Sequence, residues 1–401
     1  MRTMLHRVLG RTTWRSTYLG FGAMNTPKEG REVALATLTR ALEGGIRFID
    51  TSETYGADLP DGGRLSSEEL IREAIRGWNR TEEVILCTKG HGYEVDSCME
   101  CLHGSLTRLG IEGKGADRHI GSTPVRLIYL LHGLQRERWE VVQRSHVVDK
   151  ALKPALAEGL IDAYGFSGHD HVVLCEGIHS GWFQCVELRY SAFNRHARQT
   201  EEDVQSAPTS LELIEAARKQ GMGIINMKPF GGNGMQDILT AIRHEETHLA
   251  HGDLLRYCLG SGRVDVVIPG ARTPEEVEEC LTAFAKPPLT EAERHRLEAA
   301  ADRVVEIIGG KYCRACRHCV EDAGGFECPQ GIDFIEILTL DSRRRMAETL
   351  RADVESFRRA YAALSVNAAD CIQCGGCEER CLYQIPVMEM LQAAHVALGA
   401  S

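Results

Sequence analysis

The chain is expected to fold as a closed (β/α)8 barrel followed by a small, mostly α-helical domain. Three observations predict this. Eight short apolar runs alternate with amphipathic stretches up to about residue 284. Three of those runs finish on a charged or reactive side chain, as strands do at the C-terminal face of such barrels. The tail beyond them is helical by period and carries eight of the fifteen cysteines.

In chain order the strand candidates are "YLGFGAM" (18–24), "IRFID" (46–50), "EVILCTK" (83–89), "RLIYLLH" (126–132), "IDAYGFS" (161–167), "FQCVELRY" (183–190), "MGIINMK" (222–228) and "VDVVIPG" (264–270). Amphipathic stretches such as "GREVALATLTRALEGG", "SSEELIREAIRGW", "DSCMECLHGSLTRLG" and "TPEEVEECLTAF" separate them and read as crossover helices. A doubly wound open sheet is the runner-up, but the first strand is not followed by G-x-G-x-x-G. "KPP" at 286–288 marks a boundary, giving a barrel over 1–288 and a second domain over 289–401. The insertion "IEGKGADRHIGSTP" (111–124) precedes the fourth strand. It is expected as a surface loop on the face away from the strand ends.

Of the 401 residues 43% are hydrophobic and 26% charged, the composition of an ordinary globular chain. A net charge of −11 argues against a nucleic-acid partner. No apolar run reaches membrane-spanning length, and the basic start lacks the apolar core of a secretory signal. A cytoplasmic protein without a membrane or nucleic-acid partner is the expectation. Seven cysteines are scattered; eight crowd between Cys313 and Cys381, which points to ligands rather than disulfides.

The strand ends carry Asp50, Lys89 and His132, and the loop after the second strand adds Tyr55. Singly, each has a plain structural reading as a solvated or packed residue. Together they make a proton-donating site. An ammonium on Lys89 favours the phenolate of Tyr55, Asp50 holds Lys89, and His132 polarises a carbonyl while Tyr55 acts as general acid. Two smaller groups are weaker. Cys98 and Cys101, near His91 and His103, suggest a metal but sit on an amphipathic helix where cysteine commonly serves as a small buried residue. The glycines of "PFGGNGM" are by themselves weak evidence of phosphate binding.

The ordered set "FIDTSETYG", "LCTK", "YLLHG", "GFSGHD", "MKPFGGNGM" and "VIPGARTPEEVEE" resembles the aldo-keto reductase family across about the first 290 residues. The resemblance implies a catalytic tetrad at Asp50, Tyr55, Lys89 and His132 and an extended nicotinamide cofactor bound without a Rossmann fold. It places the ring stacked on the nicotinamide at Tyr190, a carboxamide contact at Ser167, and the cofactor-bordering loop at Pro229, Phe230 and Gly231. This chain departs from the pattern at several positions. Ser167-Gly168-His169 replaces the usual Ser-Asn, and Glu187 replaces a carboxamide-binding glutamine. Gly270 and Glu276 stand where NADPH-specific members carry a lysine and an arginine, leaving Arg272 as the remaining cation. A carboxylate repels a 2′-phosphate but accepts a hydrogen bond from a ribose hydroxyl. NADH is therefore favoured over NADPH, with weak nicotinamide binding as the alternative.

In the tail, Cys371, Cys374, Cys377 and Cys381 follow C-x2-C-x2-C-x3-C, and Cys313, Cys316, Cys319 and Cys328 form a related set. Three thiolates so spaced wrap one iron–sulfur cube, and in paired motifs the fourth cysteine ligates the other cluster. Tetrahedral zinc uses two C-x2-C pairs and leaves each third cysteine unexplained, so two [4Fe–4S] clusters are favoured. The third spacing of the first motif is stretched, and no proline directly follows Cys381. The helical intervening segment resembles an α-helical ferredoxin module appended in one branch of the family.

The leading expectation is an oxidoreductase acting on a small-molecule carbonyl or alcohol in the barrel, with clusters exchanging electrons with a redox partner protein. Three alternatives stand beside it. The clusters reduce a barrel-bound substrate without nicotinamide; they only brace the C-terminal region; or the chain is a ferredoxin-like carrier on a degenerate barrel.

Overall fold

Each barrel strand turns every second side chain inward, so residue parity decides what fills the barrel. The computed structural model describes residues 4–59, 62–197, 207–232, 235, 249–309, 312–315, 317–321, 325–349, 353–381 and 383–399. Among them, eight strands run in one parallel order: β1 (Phe21–Gly22), β2 (Phe48–Asp50), β3 (Val84–Gly90), β4 (Thr123–Leu134), β5 (Ala163–Gly168), β6 (Cys185–Arg189), β7 (Gly223–Met227) and β8 (Val266–Ile268). The ring closes between the first and last strands. Gly20 N donates to Val267 O at 2.8 Å, Val267 N to Tyr18 O at 2.9 Å, and Gly22 N to Pro269 O at 2.9 Å. All eight sequence-predicted strands are present, and helices fill most of the intervals, among them Arg31–Glu43, Ser67–Trp78, Val95–Leu109 and Pro274–Ala285.

The inward positions Phe48, Ile85, Cys87, Leu130, Cys185 and Ile225 pack into one apolar cluster. Two or four residues further along the same strands, the same parity brings Asp50, Lys89, His132, Ser167 and Glu187 to a polar layer at the C-terminal ends. The opposite end is plugged by the hairpin His6–Val8 and Arg15–Thr17, whose Leu9 joins the apolar cluster. Gly10 in its turn has φ +54°, and a Cβ there would lie 2.2 Å from Gly223 N, so only glycine permits this approach.

The insertion at 111–124 is more than a surface loop. Its strand His119–Ile120 pairs antiparallel with the start of β4, and Arg118 is only 1% exposed. The Arg118 guanidinium pairs with Asp162, which also accepts from Leu127 N at 2.8 Å, so a buried ion pair ties the insertion to the strand starts. Sequence patterning marks the extra length but not the partner across it.

The chain divides into two compact units. Met1–Tyr190, Asn194–Pro229 and Leu255–Leu289 form one; Ser191–Phe193, Phe230–Leu254 and Thr290–Ser401 form the other. From Thr290 onward the described residues contain helices and no strands: Glu291–Ile308, Phe334–Thr349, Glu355–Ala362 and Val387–Gly399, with short ones at His318–Glu321 and Gly376–Glu379. Thr290 opens the first as a capping box, its hydroxyl accepting from Glu293 N while the Glu293 carboxylate accepts from Thr290 N. Ile337, Leu338, Val387, Leu391 and Leu398 are at the centre of the apolar core, with Cys377 among its buried members. Among the described residues no helix is long and apolar enough to cross a membrane.

Candidate active site and cluster-binding cysteines

The strand-end residues do converge. Lys89, fully buried, donates from Nζ to Asp50 Oδ2 at 2.6 Å and to Thr51 O at 2.9 Å. Its Nζ lies 5.1 Å from the centre of the Tyr55 ring, and that ring meets His132 edge-on at 5.7 Å. Burial opposes charge on Lys89, yet Asp50 and Glu187 outweigh it and hold the ammonium well above its ordinary range.

For Tyr55 the balance differs from the sequence expectation. Burial raises the phenol first and foremost. The Lys89 ammonium pulls it down, but Asp50 and Glu187 push it up again, and the net shift is upward. Tyr55 is thereby a phenol that keeps its proton, not one poised as phenolate. A protonated phenol beside a fixed ammonium is a proton donor.

His132, 8% exposed, has Nδ1 3.0 Å from Ser52 Oγ, while the Ser52 hydroxyl donates to Lys89 O at 3.1 Å. With its one proton committed there, Ser52 accepts from His132 Nδ1–H, an assignment made from the partners. Tyr93 donates to the His132 carbonyl at 2.6 Å. The ring of His91 lies 4.5 Å from that of His132. Glu53 accepts from His91 N at 2.7 Å; burial works against its charge, but His91 holds its carboxyl below the usual range. Ser52 and Glu53 were missed from sequence, although the polar run "DTSET" was the available signal, and His91 was weighed only as a metal neighbour of Cys98 and Cys101.

The nicotinamide positions are spread more widely. Ser167 Oγ accepts from Gly133 N at 3.0 Å. Tyr190 is 1% exposed and stacks on Tyr257 at 5.8 Å, so one face of its ring is taken. Glu187 turns toward the ammonium, with Oε2 3.3 Å from Lys89 Nζ. Pro229 ends a segment of the barrel unit, whereas Phe230 and Gly231 begin a segment of the second unit. Gly270 bridges to Gly22 at the barrel seam. Arg272 sits between two acids: Glu276 accepts its backbone N–H at 2.7 Å and lies 3.4 Å from the guanidinium, and Glu29 lies 3.5 Å from it. Glu29 was not foreseen. In "PFGGNGM" only Asn233 and Gly234 lie outside the described residues, and Cys98 is fully buried on its helix.

In the helical unit, one pocket is lined by Cys328, Cys371, Cys374 and Cys377. A second is lined by Cys313, Cys319, Cys377 and Cys381, with Arg314 and Arg317 beside them. Cys316 lies outside the described residues. Ala315, Arg317 and Gln373 all adopt positive φ (46°, 61° and 56°), as does Gly375 at 83°. Such left-handed turns curl backbone N–H groups into anion-binding nests of the sort that surround iron–sulfur sites. Ala315 N approaches Cys313 Sγ at 3.5 Å in that manner.

Residues 18–248 match the family model for the aldo/keto reductase family. The chain belongs to the aldo/keto reductase family. Residues 312–386, which contain all eight crowded cysteines, match a 4Fe–4S dicluster domain, so this is an oxidoreductase with an iron–sulfur domain. An uncharacterized oxidoreductase of Bacillus subtilis, YqkF, is 26% identical over 74% of this chain and 96% of its own length. An aldo-keto reductase of a Mycobacterium species is 22% identical over 66% of this chain and 83% of its own. Among solved structures, the holo form of an aldo-keto reductase from Bacillus halodurans aligns with a TM-score of 0.56 at 20% identity, covering 74% of this chain and 96% of its own. That likeness concerns the barrel fold. In this aldo/keto reductase the tetrad positions, the strand ends and the seam at Gly270 all lie in the barrel unit, and the cysteine motifs all lie in the other.

Proposed function

We propose that this chain is an NAD(P)H-linked carbonyl reductase or alcohol dehydrogenase whose second domain, residues 289–401, holds two [4Fe–4S] clusters for electron transfer with a partner protein. The observation that carries it is the Tyr55 ring set against the buried Lys89–Asp50 pair. Bound nicotinamide supplies or accepts the hydride. The chain's own residues manage the proton and the pocket. Tyr55 donates to the substrate oxygen, the ammonium of Lys89 stabilises the phenolate that remains, and Asp50 holds Lys89 in place. His132 orients the substrate and leaves proton donation to Tyr55.

Cluster chemistry fits the helical unit better than zinc. Among the described residues no three cysteine sulfurs lie within 4.8 Å of one another. Tetrahedral zinc, with Zn–S near 2.3 Å, draws its sulfurs closer than that. We assign the first cluster to Cys313, Cys316, Cys319 and Cys381, and the second to Cys371, Cys374, Cys377 and Cys328. Cys374 is exposed and Ile372 beside it is 58% exposed, which makes the second cluster the natural point of exchange with a partner protein. Anaerobic purification, iron and sulfide analysis, and titration with NADH and NADPH while cluster absorbance is followed test the whole reading.

For the nucleotide, Arg272 is neutralised by Glu29 and Glu276, so NADH should bind more tightly than NADPH. Glu276→Arg should shift preference toward NADPH by on the order of 1–2 kcal/mol, the low side for a charged hydrogen bond because the site is open to water. Titration of both nucleotides checks this; tighter NADPH binding by the unmodified chain would overturn it. A second reading, reduction through the clusters without nicotinamide, is favoured by one observation. Glu187 is engaged by Lys89 instead of being free for a carboxamide. Absence of any NADH or NADPH binding would select it.

A further inference from the structure

Glu187 gives the polar layer of the barrel one more carboxyl group than its ammonium can balance. Lys89 Nζ is 2.6 Å from Asp50 Oδ2 and 3.3 Å from Glu187 Oε2, and none of the three residues is more than 3% exposed. Ionised together, they would leave an uncompensated negative charge away from water, which neighbouring carboxyls avoid by keeping a proton. The groups facing Glu187 are Asp50 on β2, Lys89 and Cys87 on β3, and Tyr55 in the loop after β2. Its register partners on β5 and β7, Ser167 and Ile225, carry no charge. Among these groups Lys89 is the one cation. Burial, reinforced by Asp50 and only partly opposed by Lys89, pushes the Glu187 carboxyl up to about 8.

Asp50, Cys87 and Glu187 also offer three ligand atoms within 4.8 Å of one another, the geometry of a cation site. The Lys89 ammonium already sits against both carboxyls, and a metal there would meet a like charge at close range.

We propose that Glu187 is a proton-holding residue. It is a neutral carboxylic acid shared with Asp50, and it returns through Lys89 the proton that Tyr55 gives up. The relay rests on the carbonyl-reducing reading; the held proton does not. As the hydride reaches the carbonyl carbon, the Tyr55 O–H bond breaks and the alcohol O–H bond forms, so the carbonyl is reduced and the nicotinamide oxidised. The Tyr55 oxygen then takes a proton from the Lys89 ammonium, and the resulting amine takes the proton of the Asp50–Glu187 pair. The pair, now fully ionised, recovers a proton from water once product has left. Glu187 touches no reacting atom in this scheme and is a positioning residue.

Glu187→Gln keeps the shape and removes the titration. The folded-state value lies above the ordinary 4.5, so the folded chain binds more protons between about pH 4.5 and 8. The stability this contributes is fully present at the acid end of that window and is lost as pH rises through it. Trp14, Trp78, Trp139 and Trp182 are all in the barrel unit, so tryptophan fluorescence during denaturant unfolding of the cluster-loaded full chain reads the barrel. The stability difference, wild type minus Glu187→Gln, should decline from about pH 4.5 to 8 and level off beyond. A difference flat across the window overturns the held proton. In carbonyl-reducing turnover, wild type and Glu187→Asp should fall above about pH 8 while Glu187→Gln lacks that limb. Superimposable profiles for wild type and Glu187→Gln overturn the relay. A chain that reduces no carbonyl removes the relay together with the reading it rests on, while the stability comparison still decides the proton.

Discussion

Replacing Tyr55 by phenylalanine should lower carbonyl-reducing turnover by roughly 10²–10⁴-fold, the range for loss of a positioned general acid. The substitution keeps the ring that meets His132 edge-on and faces the Lys89 ammonium, so the packing of the site survives. In the proposed mechanism, what is lost is the proton given to the substrate oxygen. His132 is a poor substitute, because its Nδ1–H is directed at Ser52. Lys89 is no better, because two of its three N–H groups are held by Asp50 and Thr51 and its ammonium also faces Glu187. Since burial holds the Tyr55 phenol above its ordinary value, the donor stays loaded through the neutral range, and its own ionisation should not limit turnover there. Steady-state kinetics with NADH and a small aldehyde check the prediction. Turnover in Tyr55→Phe equal to wild type would remove Tyr55 from the mechanism.

The barrel was legible because its strands carry two signals at once. Runs such as "EVILCTK" are apolar throughout, as strands covered by helices must be, and they end on a residue that an apolar core would not tolerate without a partner. Parity then follows from the pleat: once Cys87 is inward, Lys89 is inward as well. The electrostatic balance was not legible. Whether Tyr55 moves up or down depends on two buried carboxyls and one ammonium at distances no spacing rule supplies, and Glu187 comes from a strand about 98 residues past Lys89. The same holds for Arg118, whose partner Asp162 lies 44 positions away. Long-range pairing of this sort is written in the tertiary register. The cysteine motifs were the opposite case, since local spacing alone carries their chemistry.

Serine at Cys381 should perturb the cluster bound by the other motif. Cys381 belongs by sequence to the run that starts at Cys371, yet it lines the cavity that Cys313 and Cys319 line, while Cys328 of the first run lines the cavity of Cys371 and Cys374. Cys377 borders both cavities, and its place in the second triplet assigns it to the second cluster. The reason for the exchange is the path of the chain. Three cysteines spaced two apart curl around one cube, with left-handed turns at Gln373 and Gly375 closing the curl, and the short helix Gly376–Glu379 then carries the chain away to Cys381. The intact protein should hold about eight irons, four per cluster. Cys381→Ser should weaken or remove the first cluster and leave the second, and Cys328→Ser should do the reverse. Electron paramagnetic resonance of the reduced, anaerobically purified variants reads this, with Cys319→Ser and Cys374→Ser assigning each signal to its motif. In the crossed scheme each motif lends a ligand to the other's cluster, so either loss should also lower the unfolding midpoint of the helical unit, as metal-coupled folding requires. A Cys381→Ser protein altered only in the signal that Cys374→Ser abolishes would show that each motif keeps its own four cysteines, and the crossed scheme would fall.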